Sequence, residues 1–224
     1  MNYIKNSKLI KKIDLFINRI FGHDIDYKKY WYNRYAKGDT SGAGSYGLLA
    51  DFKAEVINNF IVNNNIDSVI DFGCGDGNQL IIANYKKYMG LDVAESSIAI
   101  CIARFQNDKT KSFTKYDPLS FLNNGYFSAD LVLSLDVLYH IIPENEFIKS
   151  LEDIFSCSGK YVILYTSINA YEREVYKKGV HVRHRDVISY LTKFKDFEVI
   201  DIVPQKYPQL SSASFIILKR KFYE

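Results

Sequence analysis

From about residue 68 onward, short apolar runs rich in β-branched residues alternate with stretches that are apolar at helical spacing. The runs are SVIDFG (68–73), YMGLDV (88–93), SFTKYD (112–117), ADLVLSLD (129–136) and YVILYTS (161–167). Between them lie GNQLIIANYK, SSIAICIARFQ and PENEFIKSLEDIF. Ile98, Ile102 and Phe105, like Phe147, Leu151 and Ile154, recur at the intervals of one helix face. Strand, helix and strand at this rhythm imply right-handed crossovers and a parallel sheet covered on both faces. Two last runs, FEVIDIVPQK (197–206) and SFIILKRK (214–221), have no helix between them and predict a hairpin. One strand of it should lie antiparallel to the rest. The expectation is an α/β fold: a doubly wound, mostly parallel seven-stranded sheet that ends in an antiparallel hairpin, with N-terminal helices.

Ahead of the sheet, Ile10, Ile13, Phe16, Ile17 and Ile20 predict an amphipathic helix, and a second is predicted over Leu48 to Ile61. No internal repeat or linker interrupts the chain. We therefore expect one domain over 1–224, with residues 1–65 as a helical cap and 66–224 as the core. Cys74, Cys101 and Cys157 are odd in number and widely spaced, which argues against a disulfide framework or a thiolate zinc site and suits a reducing cytoplasm. Lysines throughout the N-terminus break the apolar core a signal peptide needs, and no window approaches the ~18 apolar residues of a membrane span. A net charge of +3 is too small to imply a nucleic-acid partner. A cytoplasmic monomer or homodimer is expected.

The run DFGCGDG, residues 71–77, places three of the twelve glycines within five positions, between the first strand and the first helix. At the carboxyl end of a parallel strand, glycines let the backbone approach a ligand, and a helix N-terminus adds partial positive charge. The dinucleotide pattern GxGxxG does not fit, since Asn78 stands where its last glycine belongs, and the Walker pattern is absent.

DFGCGDGN resembles the first motif of the Rossmann-like S-adenosylmethionine-dependent methyltransferases, and the closing hairpin agrees with their sheet. The resemblance implies the donor as cofactor. It sets Asp71, Gly73 and Gly75 in the first motif, and Asp92 with Val93 at the second acidic landmark, 21 residues past Asp71. Asp117 with Pro118 fall at the landmark that meets adenine, and Leu135 in LVLSLDVLYHI passes the methionine part of the donor. YWYNRYAKGDTSGAGSYGLLADFKAEVINNF, SLDVLYHII and HVRHR resemble a narrower bacterial set that accompanies surface-polysaccharide genes. This implies a small acceptor, a sugar or sugar nucleotide.

Methyl transfer to a hydroxyl needs alignment and a base for the proton. His140 follows Asp136 by four residues, so on a helical turn Asp136 would orient its ring. His181 and His184 fall on the same rim of the sheet. These four residues are also the set a divalent metal would use; a metal is possible but not expected. SGAGSYG (41–47) is read either as a cover with Ser45, Tyr46 or Lys53 reaching the donor carboxylate, or as a helix-entry loop capped by Ser45. Arg183 and Arg185, with Lys177 and Lys178, form either a solvated face or a pocket for an anionic acceptor. Tyr30, with Trp31, Tyr32 and Tyr35, offers a stacking face or packs on the sheet. Methylation of an amine, and donor binding without catalysis, are the competing functions.

Overall fold

The computed structural model describes residues 25–168 and 181–221. The helix expected over Ile10 to Ile20 and the cations Lys177 and Lys178 lie outside the described residues. The chain runs α1 (Tyr27–Ala36), α2 (Gly47–Asn63), β1 (Ser68–Phe72), α3 (Asn78–Ile81), β2 (Lys87–Asp92), α4 (Glu95–Phe105), β3 (Lys111–Lys115), β4 (Ala129–Leu135), α5 (Glu144–Ser156), β5 (Ser158–Ser167), α6 (Val187–Leu191), β6 (Phe197–Val203) and β7 (Ala213–Arg220). The sheet order is β3-β2-β1-β4-β5-β7-β6. All neighbours pair in parallel except β7, which runs antiparallel to both β5 and β6. The sheet is therefore the one the alternation predicts, with β7 as its single reversed strand.

Alternation within each strand sorts side chains to two buried layers. Ile70, Val132, Val162 and Leu164 pack with Phe147, Leu151 and Ile154 of α5 and Val187 of α6. Val69, Leu131, Leu133 and Ile163 pack with Phe52, Ile57 and Ile61 of α2 and Ile98 of α4. Strand order reverses between β1 and β4, so their carboxyl ends splay around a crevice.

Two local expectations are corrected. The helix after the glycines is one turn, α3, rather than the ten residues from Gly77. Asn58 of α2 explains the stop: its amide donates to the Ile82 carbonyl and its oxygen accepts from the Asn84 amide, which replaces the helical bonds. So short a helix adds little dipole to the glycine loop. Ser45 does not cap α2; it lies in a 3-10 turn over Ala43–Ser45, and Tyr46 holds the cap position without a side-chain bond.

Candidate active site

One cavity opens at the crevice, between Asp71 to Gly75 at the end of β1 and Ser134 to Leu138 at the end of β4. Gly73 adopts φ +89°, and a Cβ there would stand 2.2 Å from Val137 Cγ2. At Gly75 φ is +58°, and a Cβ would meet Ser41 Oγ at 2.4 Å. Both positions need glycine for the backbone turn and for the close approach of the other wall.

Asp92 secures this loop: its carboxylate accepts from the amides of Gly75, at 2.9 Å, and Ala94, at 2.8 Å. Its pKa is raised by burial. Asp71 accepts from the Tyr88 hydroxyl through Oδ2 at 2.9 Å, while Oδ1 has no partner. Burial pushes the Asp71 carboxyl up to about 6. Three buried side-chain atoms without partners, Asp71 Oδ1, Gln79 Oε1 and Ser134 Oγ, belong to residues lining the same cavity. Buried polar groups are almost always satisfied, so this wall asks for a ligand with hydrogen-bond donors.

The cover is built from residues 27 to 46. Tyr27, Trp31 and Tyr35 line the cavity from one face of α1. Their spacing of four is legible in YKKYWYNRYA. Tyr32 is outside it, about half exposed. The 41–46 segment is tied to the glycine loop through Asp76, which accepts from the Ser41 amide at 2.9 Å and the Tyr46 hydroxyl at 2.8 Å. These bonds hold the Asp76 carboxyl below its ordinary value against the cost of burial. Asp76 and Gln79 carry no motif signature of their own; Asp76 is conspicuous only as the acid inside the glycine run.

The expected pairing of Asp136 with His140 is not what the chain forms. After β4 it makes a 3-10 turn over Leu138–His140, not an α-turn, and Asp136 itself adopts φ +62°. Asp136 accepts instead from Lys53 Nζ at 2.8 Å and from the Tyr139 hydroxyl at 2.7 Å. His140 lines the cavity, and its Nδ1 lies 3.0 Å from the His181 carbonyl. That carbonyl requires a proton on Nδ1, which leaves the lone pair of the neutral ring on Nε2. Burial pushes the His140 pKa down to about 4. The His181 ring stacks parallel to both neighbours, 5.6 Å from His140 and 4.9 Å from Tyr30. Its own pKa is lowered by burial and then by Arg34. His184 sits with Nδ1 2.7 Å from Ser167 Oγ, beyond Tyr139. Among the described residues, no group of three or more His, Cys, Asp or Glu is arranged to hold a metal ion.

The arginines expected to meet an anionic acceptor are engaged elsewhere. Arg185 is buried, donates to Glu144 and to the carbonyls of Ile141 and Ile142, and lies 4.2 Å above the Phe147 ring. Arg183 pairs with the same glutamate at 3.1 Å and donates to the Ile142 carbonyl. Glu144 and these two cations form a clamp on the turn between β4 and α5. Val93 and Leu135 line the cavity. Asp117 faces Lys28 at 2.7 Å, Tyr46 faces Asp76, and Pro118 is buried; none of the three is part of the cavity wall.

A family model described as a methyltransferase domain matches residues 63–204. A search of curated proteins found no match. Among solved structures, the chain is similar to the N-methyltransferase NodS from Bradyrhizobium japonicum in complex with S-adenosyl-L-homocysteine, at TM-score 0.67 and 13% identity, over 88% of this chain and 100% of that one. It is similar to magnesium protoporphyrin IX methyltransferase from Synechocystis with the same product bound, at TM-score 0.62 and 14% identity, over 94% and 99%. A third likeness is to an S-adenosylmethionine-dependent methyltransferase from Clostridium acetobutylicum, at TM-score 0.58 and 15% identity, over 96% and 100%. At these identities the likeness is one of fold.

Proposed function

We propose, on the premise that the chain belongs to the class I S-adenosylmethionine-dependent methyltransferases, that it methylates a hydroxyl of a small molecule, a sugar or sugar nucleotide. The observation that carries the oxygen reading is His140, a cavity-lining imidazole kept neutral by burial with its proton fixed on Nδ1.

The donor, when bound, supplies an electrophilic methyl group on a sulfonium. Asp71 and Gln79, with acceptor atoms lacking partners in the wall, suit its ammonium. Gly73 and Gly75 give it backbone room, Asp92 offers its remaining lone pairs to ribose hydroxyls, and Val93 and Leu135 provide apolar wall. The acceptor belongs on the other side, against Trp31 and His140, where Nε2 takes the hydroxyl proton. Tyr27, Trp31 and Tyr35 exclude water from that side and hold a ring by stacking. The amine reading differs at one point, for an amine nucleophile gains little from His140.

The test is a donor-consumption screen over sugars, sugar nucleotides and small amines, with products assigned by NMR. An O-methyl product, with His140→Ala lowering turnover at least ~10²-fold at unchanged donor affinity, supports the reading. An N-methyl product, or near-normal turnover in His140→Ala, replaces it with the amine reading.

A further inference from the structure

Around the cleft, cations are matched by carboxylates. Lys28 pairs with Asp117 and Glu146, Lys53 with Asp136, and Arg183 and Arg185 with Glu144. Arg34, in the last turn of α1, is different. Its Nε donates to the Thr40 carbonyl at 2.6 Å and its Nη1 to the Tyr30 hydroxyl at 3.1 Å. Among the described residues, no carboxylate forms an ion pair with it. A partly buried guanidinium without a carboxylate partner suits a ligand of opposite charge.

Arg34 is not itself a lining residue of the cavity, but it borders one that is. The guanidinium lies 5.6 Å from the centroid of the Trp31 ring, and Trp31 lines the cavity. Tyr30, which Arg34 holds by the hydroxyl, begins the parallel stack that runs through His181 to His140. On the outer side stands Gly42 at φ +93°, where a Cβ would find Arg34 Nη2 at 3.7 Å and nothing else within 4 Å. Gly42 thus borders the Nη2 end of the fork without a side chain of its own.

We propose that Arg34 is the specificity residue for the acceptor, and that the acceptor carries an oxyanion, carboxylate or phosphate, remote from the hydroxyl that is methylated. This rests on the reading that the hydroxyl meets His140. The stack sets the separation: the anion sits at the Arg34 end and the reacting oxygen at the His140 end. A guanidinium presents two parallel donors to such a group, which a lysine cannot reproduce. The anionic acceptor expected from Arg183 and Arg185 is thus kept, with its recognition moved to the cover.

Trp31 is the only tryptophan of the chain, so intrinsic fluorescence reports on this site directly. The protein, saturated with S-adenosylhomocysteine, is titrated with glucuronate, glucose 1-phosphate and glucose. A saturable change with either anionic sugar, absent with glucose over the same range, is the expected result; which of the two responds identifies carboxylate or phosphate. Arg34→Gln should weaken that binding at least tenfold and Arg34→Lys should recover part of it, with product affinity and melting temperature retained. The proposal is overturned if glucose binds as tightly as the anionic sugars, if neither anionic sugar perturbs Trp31, or if Arg34→Gln binds them like wild type. His140→Ala, which tests the base by turnover, leaves the charge of Arg34 in place, so that variant should still bind the anionic sugar more tightly than glucose, and either reading can fail without the other.

Discussion

Lys53 Nζ lies 2.8 Å from Asp136 Oδ2, joining α2 to the left-handed residue that follows β4. Lys53 is 1% exposed, and its ammonium also stands 5.4 Å from the centre of the Tyr165 ring. A buried pair contributes modestly against apolar replacement, but removal of one partner strands the other's charge. Lys53→Met should therefore cost about 3–5 kcal/mol in urea denaturation. Adding Asp136→Asn should restore part of that loss, since Asn tolerates positive φ and carries no charge to strand. Independent, additive effects in the double-mutant cycle would deny the coupling.

Asp71 links donor affinity to pH. A folded pKa raised to about 6 from 3.8 means that the native state holds its proton more tightly than the unfolded chain. The apo protein accordingly loses stability as pH rises from about 4 through 6. A donor ammonium prefers the carboxylate form, so calorimetric affinity should fall as pH drops below about 6. Asp71→Asn should flatten this dependence, weaken binding at neutral pH, and stabilise the apo protein there by up to about 3 kcal/mol. A wild-type affinity that is level from pH 5 to 8 would remove Asp71 from the donor site.

For His140 the sign is opposite. Its folded pKa of about 4 lies below the ordinary 6.5, so the unfolded state binds the extra proton between those values. Stability tied to His140 is present above about pH 6.5 and lost as pH falls towards 4, by up to about 3 kcal/mol. Denaturation of wild type and His140→Gln at pH 7 and pH 5 isolates the effect, for Asp71 contributes equally to both proteins. The variant should lose less on acidification. The same pKa keeps the base neutral near pH 6, so turnover should show no acid limb centred on 6.5.

Arg185 is expected to matter for folding rather than for the acceptor. Arg185→Ala leaves Glu144 with one cation fewer and the Ile141 carbonyl without its guanidinium donor, and removes the stack on Phe147. The cost should be about 1–3 kcal/mol, mainly from carbonyls left without a donor, since Glu144 is 39% exposed and keeps Arg183. In whatever folded protein remains, acceptor KM should match wild type. A raised KM with unchanged stability would return Arg185 to the acceptor pocket.

The sheet was legible because burial on two faces writes continuous apolar runs, and crossovers fix their order. The glycine loop was legible because Gly73 and Gly75 meet constraints that no other residue satisfies. What the sequence hid is contact between distant segments. Nothing near Asp136 marks Lys53 as its partner, 83 residues earlier. His140 is held by the carbonyl of His181, a backbone atom that carries no sequence signature. Arg183 and Arg185 look like an anion pocket until Glu144, some forty residues back, is brought beside them. The cover was partly readable, for the spacing of Tyr27, Trp31 and Tyr35 marks one helix face, but which surface that face would meet depended on tertiary packing.

At the far border of the sheet, no strand among the described residues pairs with the outer edge of β6. Val199, Ile200 and Ile202 on it are 43%, 45% and 43% exposed. Such a border is a template for unwanted self-assembly. Its pairing with β7 shifts register between Val199 and Asp201, and Glu198 and Asp201 intersperse negative charge. The irregular, charged rim acts as a gatekeeper, and β6 lies three strands away from β4, whose end borders the cleft. Replacing Asp201 to improve crystal contacts or expression would remove that safeguard without touching the chemistry.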